Sequence, residues 1–451
     1  MFSPQYISEY KKNLKLATPV VLGQVGHMIT QLADTLMVGQ IGAEPLASAA
    51  FANALFALLL VVVIGLATGI TTLVGNAHGA NNNKSIVQIL GNSFWLLMSF
   101  SLILFVLAMV CKPLLYQMGQ EPIVVDRAMP YFNILAWSLL PLMAFMSLKH
   151  FTDGLEWTYP GMLASIVSNL INIILNYFLI FGKAGLPEMG LLGAGIATLI
   201  ARVLMALMLL SFLLFHKRLS PFKNALISFK PSINKCKEIL KLGVPIATQY
   251  FLEGGAFILG AIVIGWLGAI PQAGHQIAIS IASFTYMFAT GLSSTATIRV
   301  SNLVGAKKLD QLPIVSKSLF YMVIFIEVFF ALIMILGHET LANWFVKDVE
   351  VAQIASSLIV VAAFFQLTDG IQVMAMGALR GLSDVKRPTS IALLSYWIIS
   401  LPVGYYLMEK ANFGAAGIWY GFLTGLSTAA VLLTTRYFLL EHKTVSKIES
   451  A

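Results

Sequence analysis

Long apolar runs dominate this chain. At least ten reach 18 residues or more, and about 20 apolar residues are enough to cross the hydrocarbon core of a bilayer. Only 11% of the residues are charged, against 58% hydrophobic. A water-soluble surface carries roughly 25% charged residues, so lipid must be the main solvent. The pattern predicts helical spans at 14–38, 47–74, 88–111, 128–148, 161–182, 191–215, 240–264, 275–301, 314–337, 352–379, 388–408 and 414–438. The polar opening MFSPQYISEYKKNLKL and the length of the first span argue against a cleaved signal peptide. Cys111 and Cys236 have no metal or redox spacing.

An even number of spans puts both termini on one side, and the basic residues choose that side. With cytoplasmic termini, 21 of the 28 Lys and Arg residues fall near the cytoplasmic face, including Lys11, Lys12, Lys307, Lys308, Arg380 and Lys386. Lys112, Arg127, Lys183, Lys347 and Lys410 lie outside, and Arg202 and Arg299 fall within spans near cytoplasmic ends, where they are read as snorkelling. The net charge of +8 therefore reflects topology and carries no sign of nucleic-acid binding.

The sequence repeats itself at an offset of 226 residues. LKLATP from Leu14 matches LKLGVP from Leu240, GQIGAEP from Gly39 matches GWLGAIP from Gly265, and Gly65-Leu66 matches Gly291-Leu292. The fold class that follows is an all-α polytopic membrane protein, with twelve transmembrane helices in two pseudo-symmetric six-helix lobes. The expected divisions are an N-lobe at 1–215, a cytoplasmic linker at 216–239 and a C-lobe at 240–451 ending in a short cytoplasmic tail. Six spans per repeat relate the lobes by an axis along the membrane normal, the organisation of an alternating-access carrier with its substrate near the midplane.

Four acids fall inside predicted spans: Asp34, Glu253, Glu327 and Asp369. A charge at the bilayer centre costs about 2.5–3.5 kcal/mol or more, so each calls for an explanation. Asp34 follows Pro19 in the first span, and reads either as a helix–helix hydrogen-bonding group or as a cation-binding carboxylate. Glu253, followed by Gly254-Gly255, is the repeat counterpart of His27. Asp369 has Gln366, Thr368 and Gln372 beside it in sequence, oxygens of the kind a hard cation takes. With no opposite charge expected nearby, Glu253 and Asp369 read as one site for Na⁺ or H⁺. Glu327 stands among apolar residues and reads as a packing acid. His275 and Gln276 open the eighth span and are placed at the outer mouth. Tyr250, Tyr286, Met287 and Phe288 are either packing residues or cleft residues offering cation–π contacts. Gly417, Gly421 and Gly425 form a packing stripe. No HExxH, GxSxG or P-loop occurs, so no enzyme activity is expected, and any pumping must draw on an ion gradient.

LKLATP, ADTLMVGQIG, FTDG at Phe151–Gly154, AGHQIAIS, QLTDGIQVMAMGALRG and Lys386-Arg387-Pro388 together resemble multidrug and toxic compound extrusion (MATE) transporters, NorM-like branch, in order along nearly the whole chain. The resemblance implies a twelve-helix antiporter of the bacterial inner membrane, exporting lipophilic organic cations in exchange for Na⁺ or H⁺. It implies a cation site at Glu253 and Asp369, a functional acid at Asp34, and N-lobe positions at Asn176 and Thr198. Ile180 stands where a second N-lobe acid occurs in some relatives, and Phe365 replaces a tyrosine of the tenth helix. Membrane lipid and small organic cations are the implied partners, with a monomeric state and no organic cofactor. The alternative is a flippase for a lipid-linked sugar, from the same wider superfamily.

Overall fold

The computed structural model describes residues 3–118 and 120–449. Among the described residues, twelve long helices run in order: α1 (Pro4–Gln40), α2 (Ala43–Gly79), α3 (Asn83–Val110), α4 (Pro122–Gly154), α5 (Tyr159–Phe181), α6 (Leu191–Phe215), α7 (Ile233–Gly265), α8 (Ala269–Gly305), α9 (Leu309–Phe345), α10 (Val349–Gly381), α11 (Lys386–Glu409) and α12 (Ala415–Glu449). All but α1 are long and apolar enough to cross a bilayer on those criteria alone, and α1 covers the first predicted span with its more polar opening turns. Each predicted span falls on one of these helices, overrunning it by a single residue at Cys111, Gly182 and Gly414, and most of the helices run several residues past the span. In lipid the backbone must satisfy itself, and a continuous helix does so without outside partners.

The chain forms two compact units: 22–247, and 248–451 together with 1–21. The two breaks, after Val21 and after Ala247, are one repeat length apart, and each follows a helix-interior proline by two residues, Pro19 and Pro245. A proline removes one backbone hydrogen bond and crowds the preceding turn, so each leading helix is loosened where it passes from one unit to the other. Within each unit the packing repeats as well. A Cβ on Gly65 would stand 2.2 Å from Ala247 Cα, and one on Gly291 would stand 2.3 Å from Val21 Cγ2. Only glycine at these two positions admits the opening segments of α7 and α1.

The linker is docked rather than loose. Leu219 and Phe222 are buried, Trp95 Nε1 donates to Leu226 O at 3.0 Å, and Asn92 bonds both Lys230 O and the Ser232 amide. Two basic residues read as snorkelling are tied down instead. Arg299 is buried, paired with Glu9 at 2.6 Å and bonded to Asn13 Oδ1 at 2.8 Å, while Asn13 in turn donates to Ser318 Oγ. Arg202 is half-buried along α6, stacked 4.6 Å over the Phe56 ring and bonded to Ser138. A desolvated guanidinium needs several partners at once, and these positions supply them.

Candidate functional site

The unit containing 248–451 brings Glu253 of α7 and Asp369 of α10 together. Both are buried. The Gln372 amide nitrogen bridges them, donating to Glu253 Oε1 and to Asp369 Oδ1 at 3.2 Å each. Asp369 and Gln372 are three residues apart on one helix, which puts them on one face. Gln372 Oε1 is buried with no hydrogen-bond partner, although buried polar atoms are rarely left unpaired.

The other α10 neighbours named from sequence do not join the pair. The Thr368 hydroxyl is spent on Phe365 O at 2.8 Å, Phe365 packs 5.2 Å from Trp419, and Gln366 turns toward Glu327. Glu327 itself is fully buried. It lies against Gly370, where a Cβ would come within 2.5 Å of its Cγ, and acts electrostatically on Asp369. The apolar surroundings in sequence concealed a third acid beside the pair.

Opposite charge is not lacking here, contrary to the expectation from sequence. Arg380, read as a cytoplasmic-face residue, is buried and lies within electrostatic reach of Glu253. Its guanidinium donates to Tyr250 OH at 3.0 Å and to Gln249 Oε1 at 3.1 Å, and sits 4.8 Å from the Tyr250 ring centroid. One face of Tyr250 therefore already carries an internal cation. Tyr286 lies beside Glu253. Phe288 packs on Phe284 and Phe330, and Gln276 is exposed. His275 is buried against Trp419 Nε1 at 3.2 Å.

Sequence reading missed two groups. Tyr396 of α11 reaches Glu253 Oε1 at 3.4 Å, with no signal in its own sequence context. Asn172 had a signal: Asn169, Asn172 and Asn176 recur at helical spacing on α5.

Unit 22–247 holds the other acid. Asp34 accepts a hydrogen bond from Asn176. The Asn172 amide stands 3.1 Å from Asp34 Oδ1 and 3.2 Å from the Thr198 amide nitrogen. The Thr198 hydroxyl bonds Ala194 O of its own helix at 3.0 Å. Ile180 is buried, and Arg202 lies within electrostatic reach of Asp34.

No three His, Cys, Asp or Glu side chains among the described residues converge as metal ligands. Besides the bridging amide nitrogen, the pair offers two carboxylates and the Tyr396 hydroxyl, all hard oxygens. Its chemistry fits a small monovalent cation.

Twelve bilayer-length helices in a two-unit repeat place the chain among polytopic helical carriers of the MATE fold. It superposes on an outward-facing multidrug resistance MATE family transporter of the MOP superfamily with a TM-score of 0.89 at 19% identity, covering 98% of this chain and 97% of the other. A eukaryotic MATE transporter gives 0.85 at 22% identity, covering 98% and 100%. The chain belongs to the MatE family, whose model matches twice, at residues 19–178 and 245–406; the two matches begin one repeat length apart. The probable multidrug resistance protein NorM of Pseudomonas putida is 33% identical over 438 residues, covering 95% of this chain and 94% of the relative. A protein of the same description from Oceanobacillus iheyensis is also 33% identical, over 435 residues, covering 95% and 96%.

Proposed function

We propose that this protein is a secondary antiporter of the bacterial inner membrane that exports lipophilic organic cations in exchange for Na⁺ or H⁺ by alternating access. One observation carries the coupling: two buried carboxylates share a single amide donor, and that amide's own oxygen has no partner. Two like charges so close do not both ionise cheaply unless a cation lies with them. Arg380 offsets one charge, and a mobile cation offsets the rest. Ion and drug then oppose each other through their differential affinity for two states of the carrier. The oxygen set favours Na⁺ over H⁺. Both termini are cytoplasmic, the carrier works as a monomer in lipid, and it catalyses no covalent step.

The test is ethidium efflux from proteoliposomes with Na⁺ and pH gradients imposed separately. Efflux that follows one gradient supports antiport. Movement of lipid-linked sugars alone transfers the protein to the flippase class. Cysteine labelling at 230 and 347 reports the orientation, with the two positions reacting from opposite faces.

A further inference from the structure

Helix α11 is not regular. Leu393–Ser400 is wound as a π-helix, and the Leu401 amide bonds the Tyr396 carbonyl, five residues back. Two local causes are visible. Pro402 follows, lacking an amide hydrogen and crowding the turn before it. The glycine stripe of α12 also presses close: a Cβ on Gly421 would stand 2.6 Å from Ser400 O, and one on Gly425 would stand 2.4 Å from Ser400 Cβ. π-Helical turns are rare and recur at functional sites.

This widened turn grips α7 around Glu253. Trp397 Nε1 donates to Leu252 O at 2.9 Å, and the Trp397 ring lies 3.2 Å from where a Gly255 Cβ would be. Between those contacts, the Tyr396 hydroxyl reaches Glu253 Oε1 at 3.4 Å, in a side chain that is 1% exposed. Hydrogen bonds between oxygens centre on about 2.7–2.8 Å, so this one is loose. Oxygens that share a hard cation at about 2.4 Å and at a right angle stand about 3.4 Å apart. The spacing matches the edge of a cation's coordination shell better than a direct bond. The side chain that bridges the two carboxylates, Gln372, also keeps a buried Oε1 without a partner, so the polar groups around the pair are not fully satisfied.

The geometry points to Tyr396 as a further residue of the coupling-cation site, its hydroxyl delivered to Glu253 by the π-turn of α11. The hydroxyl donates to Glu253 when the cation is absent and presents its lone pair to the cation when it is bound. Trp397 and Gly255 fix the approach of α11, so the site is closed from α11 as well as from α10. This role rests on the antiport reading above.

The test uses the full-length protein in proteoliposomes, with ethidium as cargo. Tyr396→Phe removes one oxygen and leaves the ring. The Na⁺ concentration for half-maximal efflux should rise about tenfold, or the pH profile should move by about one unit if H⁺ is the ion, as loss of one ligand to a charged centre predicts. The ethidium concentration for half-maximal efflux should stay within about twofold. A second readout needs no transport: Trp397 fluorescence, identified by its loss in Trp397→Phe, is titrated with Na⁺ and with pH in the absence of drug, and its midpoint should move by the same factor. Unchanged midpoints in Tyr396→Phe overturn the proposal. So does a variant that loses ethidium affinity and thermal stability along with ion affinity, since that is a packing residue. Wild-type protein with neither ion-dependent efflux nor an ion-dependent Trp397 signal overturns the antiport reading itself, and Tyr396 with it.

Discussion

The two buried acid sites differ in charge balance. In unit 22–247, Asp34 is one carboxylate with amide contacts from Asn176 and Asn172 and a guanidinium, Arg202, within reach. In the other unit, Glu253, Asp369 and Glu327 are three carboxyls with one guanidinium, Arg380, near Glu253. The first site is close to neutral as folded. The second carries a surplus of acid that only protons or a bound cation can neutralise in a low dielectric. Repeated folds need not repeat their chemistry, and here the surplus of buried acid lies in one unit only.

The largest effects belong to the paired acids. Glu253→Gln or Asp369→Asn should reduce gradient-driven ethidium efflux to about 1% of wild type at matched expression, a loss of ~2.7 kcal/mol in barrier terms. Full activity in both would move coupling out of this unit. Asp34→Asn removes a charge that is already compensated, and efflux should fall roughly tenfold; a loss exceeding that of the paired acids would reverse the comparison. Arg202→Gln leaves Asp34 without its cation and should cost roughly fivefold, with Asp34→Asn/Arg202→Gln no worse than Asp34→Asn alone. Strict additivity in that cycle would show that the two residues do not form a charge pair. Glu327→Gln keeps the side-chain volume, and Glu327 lies outside the amide bridge that joins the pair, so efflux should stay within about twofold of wild type.

The smallest effect on transport belongs to Glu9, on the stretch of α1 ahead of its span. Burial works to raise its proton affinity, but the bond from Lys12 and the charge and bond of Arg299 outweigh it and hold the carboxyl below its ordinary value. A lowered folded-state value stabilises above the ordinary carboxylate range, and the stabilisation disappears as pH falls through the folded value. The melting temperature of Glu9→Gln should therefore lie below wild type at neutral pH and converge with it in acid. A constant gap at every pH would exclude the ion pair as its source.

The twelve spans and the repeat were legible because lipid forces long apolar runs and because an ungapped offset preserves them. Glu253, Asp369 and Asp34 stood out as acids in apolar sequence. Arg380 and Arg299 did not, because a basic residue near a span end looks the same whether it snorkels or turns inward. Which way it turns depends on partners such as Gln249 and Glu9 on other helices. Tyr396 was invisible for a related reason: only the widened turn before Pro402 and the pressing α12 glycines aim it at α7. Asn172 shows the opposite case, a residue legible from spacing alone once Asn176 is noticed.

The glycine-lined seats for Val21 and Ala247 impose an order on biosynthesis. Ala247 finds Gly65 already made, so one unit can be completed while the chain is still growing. Val21 has no seat until Gly291 has left the ribosome, and the opening turns of α1 must wait through the insertion of seven helices. A chain cut within the linker would leave each fragment short of one segment held by the other, so the duplicated halves can be expressed apart only if they are expressed together.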